Sequence, residues 1–293
     1  MLQSSKSILI TCFDKTLGYF NNPFRHIAEK SLWREKLMRQ APPDTRYIIF
    51  FTPRSGSSRL TDLVQLAGGL GTPDECFNPQ HIRNMAKFLG AQNLDDYLDL
   101  LMRRRTTGGT FGCEATPSQI HRIFFSVARF FEMYRPTSCI FLIRENIAEQ
   151  AVSCSRMSQT GFSHHTSSSD PENTGTSFEY RPAEIRKYMT RLLIMERQLE
   201  QIFLRRSIEP LRLSYEMLVN TDPEIFLASI ARHVGATPHR LNDLESEHKK
   251  IGDQRNLEFT VQFTKENRRL MAKVARQRVF TLNELARQKN SHF

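Results

Sequence analysis

The sequence predicts an α/β fold, a P-loop-like parallel sheet flanked by helices on both faces. Three observations carry that prediction. Tyr47-Ile48-Ile49-Phe50-Phe51 is a continuous apolar run without alternation, the pattern of a strand buried on both faces. Short runs of this kind take turns along the chain with stretches that repeat at helical spacing, the order of strand-helix units in a parallel sheet. At 293 residues, 39% hydrophobic and 25% charged, the chain can bury a sizeable core as one large domain.

The elements follow in order. Residues 1–45 read as an N-terminal extension ending in the breaker Pro42-Pro43-Asp44, with the main domain over 46–293. The strand at Tyr47–Phe51 closes at Thr52-Pro53. After the polar turn Arg54–Ser58, Leu60, Leu63, Val64 and Leu66 mark a helix that Gly68-Gly69 ends. Phe111-Gly112-Cys113 is a short strand candidate, and Ile120, Ile123, Phe124, Val127, Phe130 and Phe131 form one helical face. Ser138–Ile143 is a further apolar strand ending at Arg144, with a helix from about Asn146 to Met157. Residues 160–178 are a polar insertion. A long helix fits 183–204, Leu211–Ser214 a strand, and Asp222–Val234 a helix closed by Gly235. The basic C-terminus reads as helical, with Phe259, Phe263, Leu270 and Val274 spaced to pack on the core.

Composition narrows the function classes. Five Cys, at 12, 76, 113, 139 and 154, show no paired spacing, so a reducing compartment is expected and a disulfide framework is not. The apolar run Ile8–Phe13 is too short for a signal h-region or a bilayer span, which predicts a cytoplasmic protein without a transmembrane segment. The net charge is +10, and residues 248–293 hold eleven Lys/Arg against four Asp/Glu. Without aromatic interleaving, that tail does not call for a nucleic-acid partner. His164-His165 in the insertion lack further ligands at metal spacing, so no metal is expected.

The segment Thr52–Ser58 carries the chemistry. It lies at the carboxyl end of a strand and opens a helix, where unpaired amides and a partial positive charge favour anions. Gly56 lets the backbone curl round oxyanions, Ser55, Ser57 and Ser58 supply donors, and Arg54 supplies a cation with a planar fork. Read alone, the segment is equally a capped strand–helix turn. It is not a Walker A loop, which needs a second Gly and a Lys. The next strand ends in Arg144, the wrong sign for a magnesium ligand. A metal-dependent, nucleotide kinase-like enzyme and a non-catalytic anion- or nucleic-acid-binding module are the alternative readings.

TPRSGSS after a buried strand, followed by Gly71-Thr72-Pro73-Asp74-Glu75-Cys76-Phe77, resembles the trehalose 2-sulfotransferase family, whose loops read RSGST or RTGST and then G-x-P-x-E. Ile143-Arg144-Glu145-Asn146-Ile147-Ala148-Glu149-Gln150-Ala151-Val152-Ser153 resembles that family's 3′-phosphate segment. Asp253-Gln254-Arg255 is similar to an element that also reaches the donor, and Tyr215–Leu218 with Thr221-Asp222-Pro223 resembles the strand-to-helix passage of sulfotransferases. The resemblance spans about residues 46–270.

It implies a sulfotransferase fold and transfer of a sulfuryl group from 3′-phosphoadenosine 5′-phosphosulfate (PAPS) to a hydroxyl. The acceptor it implies is a small molecule or glycolipid, of carbohydrate type. Arg54, Ser55, Gly56, Ser57 and Ser58 would hold the 5′-phosphosulfate, Arg144, Ser153, Gln254 and Arg255 the 3′-phosphate, and Glu75 would be the base. A homodimer is compatible with the family. By residue type alone, Arg144 and Arg255 would be surface charges and Glu75 an exposed loop residue. Two positions depart from the family: Cys76 stands where an aromatic is preferred, and Glu114 where a Lys is common.

Overall fold

The computed structural model describes residues 23–27, 32–161, 178–247 and 254–292. Four strands, β1 (Thr45–Phe51), β2 (Thr110–Ala115), β3 (Ser138–Ile143) and β4 (Leu211–Ser214), form one sheet in the order β2-β1-β3-β4. Every pairing is parallel, with Ile49 opposite Glu114 on one side and Ile140 on the other. Consecutive residues in each strand are buried, so helices cover both faces, as the unalternating apolar runs require.

The connections fix where a ligand can sit. β2 follows β1 on one side, whereas the chain then crosses to β3 on the other side. The gap between the carboxyl ends of β1 and β3 is therefore the topological switch point, where open α/β sheets bind ligands.

Most sequence expectations for the sheet and its helices hold, with ends shifted by a residue or two. Helix α2 runs Ser57–Ala67, α7 Ile147–Thr160, α8 Pro182–Arg206 and α10 Pro223–Val234, the last closed by Gly235 in the left-handed region. The single helical face expected over 120–131 is a correction. It is two helices, α5 (Pro117–Phe124) and α6 (Val127–Tyr134). Phe125 takes φ 63°, which ends α5, and the Ser126 side chain accepts from the Arg129 amide to start α6.

Helices α1 (Leu32–Met38), α3 (Ile82–Leu89), α4 (Leu94–Arg105) and α9 (Tyr215–Asn220) complete the set before the C-terminal pair, α11 (Gln254–Glu266) and α12 (Arg268–His292). Of the extension placed at 1–45, residues 1–22 and 28–31 lie outside the described residues; Phe24, Ile27 and Leu37 join the main core. The insertion at 160–178, with His164-His165, lies almost wholly outside them as well.

Two apolar clusters share α8. The larger surrounds the sheet, and its centre is a set of edge-to-face rings in which Phe77, Phe124 and Phe130 lie 5.0 to 6.1 Å apart. The smaller joins α7, α8 and α11 through Ala151, Met189 and Phe263, with Val274 of α12 and the partly buried Phe259 and Leu270. The C-terminal apolar residues thus pack on the core, as their spacing predicted.

Candidate active site

The site forms where α7 grips the loop after β1. Gln150, Ser153 and Cys154 share one face of α7, at i, i+3 and i+4. Gln150 Nε2 donates to Thr52 Oγ1 at 2.9 Å and to the Pro53 carbonyl at 2.8 Å. Cys154 Sγ approaches the same carbonyl at 3.9 Å, and Arg54 Nε donates to Ser153 Oγ at 3.0 Å. Thr52, Pro53 and Arg54 are therefore fixed, residue by residue, to a helix that starts from the neighbouring strand.

This clamp holds a backbone that leaves the ordinary regions twice. Arg54 has φ 67° and Gly56 φ 87°. A Cβ at Gly56 would stand 2.7 Å from Tyr215 Cδ2, so the position needs glycine for space as well as for conformation. Gly56 is also the residue before α2, and no side chain caps that helix. The caps of α4, α5, α6, α7, α9 and α10 are side chains of Asn, Thr, Ser or Asp. The amides that open α2 face the loop, with no side-chain cap over them.

Cations gather on the α7 side. Burial, with Arg144 and Arg156 close by, pulls the Arg54 guanidinium below the usual arginine range, although it stays a cation. Arg144 leaves β3 buried, bonds Glu149 at 2.6 Å and lies 4.6 Å over the Tyr215 ring. Tyr215 thus touches both Gly56 and Arg144. The backbone beyond β3 is held tightly. Glu216 accepts from the amides of Glu145 and Asn146, and Arg278 of α12 donates to the carbonyls of Arg144 and Glu145 at 2.7 Å each. Arg278 is in turn paired with buried Glu196 of α8.

Glu75 lies on the β2 side of the loop. Its Oε2 accepts from Asn78 Nδ2 at 2.9 Å and from Gln119 Nε2 at 2.6 Å, which orients the carboxylate. Gln119 is placed by a reciprocal cap at the start of α5, where the Thr116 hydroxyl accepts from the Gln119 amide and Gln119 Oε1 accepts from the Thr116 amide.

Among the described residues, the buried polar atoms without a hydrogen-bond partner include Ser55 Oγ and Gln150 Oε1 on the loop and its clamp, and Glu114 Oε2 at the end of β2. Buried polar groups are normally satisfied, so such atoms fit a site made for a polar ligand.

Residues 125–266 match the Stf0 sulphotransferase family. The Stf0 match starts at the turn between α5 and α6 and ends with α11. It takes in β3, Arg144, Ser153, Gln254 and Arg255, with the 52–58 loop and Glu75 N-terminal to it. It bears out the family resemblance over that span, and it supports a sulfotransferase activity carried on this sheet. No curated protein matches the chain.

Set against the residues that the Stf0 resemblance named, the structure brings Arg54–Ser58, Arg144 and Ser153 together at the switch point. Gln254 and Arg255 open α11 on the surface, where Gln254 Nε2 donates to Glu258; Asp253 lies outside the described residues. The link from that end of α11 to the site is Asn256, which accepts from Arg156 Nη1 at 3.2 Å. Sequence reasoning missed Arg156, Gln150, Gln119 and Tyr215. Arg156 and Gln150 could have been found from their i+3 and i−3 spacing to Ser153, and Gln119 from the capping-box spacing to Thr116; Tyr215 lies in the passage likened to sulfotransferases, but nothing local shows its contact with Gly56. Among the described residues there is no group of three or more His, Cys, Asp or Glu able to hold a metal, and no helix long and apolar enough to cross a membrane.

Proposed function

We propose that the chain is a PAPS-dependent sulfotransferase that acts on a hydroxyl acceptor of carbohydrate or glycolipid type. The observation that carries the reading is the join of two anion-binding features by one contact, Arg54 Nε to Ser153 Oγ at 3.0 Å. On one side is the start of α2 with Ser55, Gly56, Ser57 and Ser58; on the other are Arg144, Ser153 and Arg156. A donor with phosphate at both the 3′ and 5′ ends of one nucleoside needs two such grips side by side.

PAPS held there would supply a sulfuryl group to the acceptor oxygen, its bond to the 5′-phosphate oxygen breaking so that adenosine 3′,5′-bisphosphate leaves. Arg54 and the α2 amides stabilise charge on the sulfuryl oxygens, acting as preorganised donors in a partly buried site. Arg144 and Ser153, with Gln254 and Arg255 from α11, take the 3′-phosphate. Glu75, oriented by Asn78 and Gln119, accepts the proton that the acceptor hydroxyl loses. A sulfuryl group carries less charge than a phosphoryl group, so cations and amides suffice and no metal is required. A cytoplasmic location fits the lack, among the described residues, of a helix able to cross a membrane, and the basic end of the chain would attract an anionic donor.

Incubation with sulfur-labelled PAPS and a panel of sugars and glycolipids tests the reading. Label transferred by the wild type, and lowered about a hundredfold or more in Glu75→Gln, is the expected result. Equal transfer by wild type and Glu75→Gln would remove Glu75 as the base.

A further inference from the structure

Among the described residues, Glu114 is a buried carboxyl at the end of the sheet with no ion-pair partner. It sits in β2 opposite Ile49, is 4% exposed, and has an Oε2 without a partner. Its other contacts lead into the site: the Ser57 hydroxyl hydrogen-bonds its carboxyl, and the charges that act on it are Glu75 and Asp74, both acidic. Asp74 has its own cation in Arg105 at 2.8 Å. A charge on Glu114 would also bear on Tyr47 of β1, on Cys76 and on its neighbour Cys113.

An ionised carboxylate buried here would have only the Ser57 hydroxyl to offset its lost hydration and the nearby acids, so the neutral form is favoured. Burial first, then Glu75 and Asp74, accordingly push the Glu114 carboxyl well above the ordinary range. Glu75 differs in setting: it is half-buried and receives two side-chain amide donors.

Building on the donor-site reading above, we propose that Glu114 is a positioning residue of that site, a buried neutral carboxyl that fixes Ser57 in the loop without adding a charge beside it. A charged residue at this place would put a second negative charge against the loop that takes an anionic donor. The neutral acid keeps the hydrogen bond and removes the repulsion.

The test combines infrared spectroscopy with titration by adenosine 3′,5′-bisphosphate on the full chain. The wild-type minus Glu114→Gln spectrum at neutral pH is expected to hold a protonated-carboxyl carbonyl band; carboxylate bands alone would overturn the proposal. As pH rises through the conversion of that band, wild-type affinity for the bisphosphate should fall about tenfold, while Glu114→Gln falls less than about threefold. Equal falls in the two proteins would overturn it too. If the bisphosphate does not bind the wild type at all, the donor reading falls and takes the positioning role with it. A missing band in a protein that does bind the bisphosphate defeats the Glu114 proposal alone.

Discussion

Arg54 and Ser153 stand 99 positions apart in the chain and 3.0 Å apart at the switch point of the sheet, Nε donating to Oγ. The bond ties the loop after β1 to the helix after β3, so the two halves of the candidate donor site move as one piece. Removing either partner should weaken bisphosphate binding by more than its own contact. Arg54→Ala is expected to lose about tenfold to a hundredfold in affinity, and Arg54→Lys nearly as much, because an ammonium cannot bond Ser153 and an oxyanion in one plane. A double-mutant cycle with Ser153→Ala, read by calorimetry, should give a coupling of about 1 kcal/mol; strict additivity would show that the contact is incidental.

Gly56 is the position where the loop tolerates no side chain. Alanine there would meet Tyr215 and would have to hold φ 87°. Gly56→Ala should lower stability by about 1–3 kcal/mol and abolish bisphosphate binding. Thermal unfolding with and without the ligand checks both; a variant that still gains stability from the ligand would contradict the requirement.

The pair Glu196–Arg278 supports Arg144 from behind. Arg278→Met alone leaves a buried carboxylate unpaired and should cost about 3–5 kcal/mol in denaturant unfolding. Replacing both, as Glu196→Leu with Arg278→Met, should recover most of that stability. Bisphosphate affinity should stay low, because the carbonyls of Arg144 and Glu145 have lost their donor. Recovery of both together would mean that Arg278 serves stability only.

Burial pushes the thiols of Cys76, Cys139 and Cys154 from their ordinary 9.0 up to about 12. A folded value raised above the unfolded one stabilises the fold below pH 9, where both states hold the proton. Above pH 9 the unfolded state releases protons first, so stability should fall steadily as pH rises toward 12. Unfolding free energies measured across that range check the sign. Iodoacetamide at mildly alkaline pH should label these thiols no faster than the protein unfolds.

The sheet was legible because buried parallel strands are written as unbroken apolar runs: Tyr47–Phe51 and Ser138–Ile143 need no partner to be read. The break at Phe125–Ser126 was not, because Ile120 to Phe131 keeps helical spacing across it and the left-handed turn is taken by a Phe rather than a Gly. Arg54, Gly56 and Ser153 were readable from local pattern and family resemblance. Their joining was not, since it depends on which strands are neighbours. Tyr215 illustrates the limit most clearly. It closes over Gly56 and Arg144 from an element that starts 159 residues after Gly56, and no local signal shows that closure.

The most direct test of the central claim is calorimetric titration of the full chain with adenosine 3′,5′-bisphosphate. The account predicts one site of about micromolar affinity, weakened by salt and by Arg54→Ala, with no need for magnesium. Absence of heat up to about millimolar ligand in a folded protein, or binding of ATP only with magnesium, would contradict it.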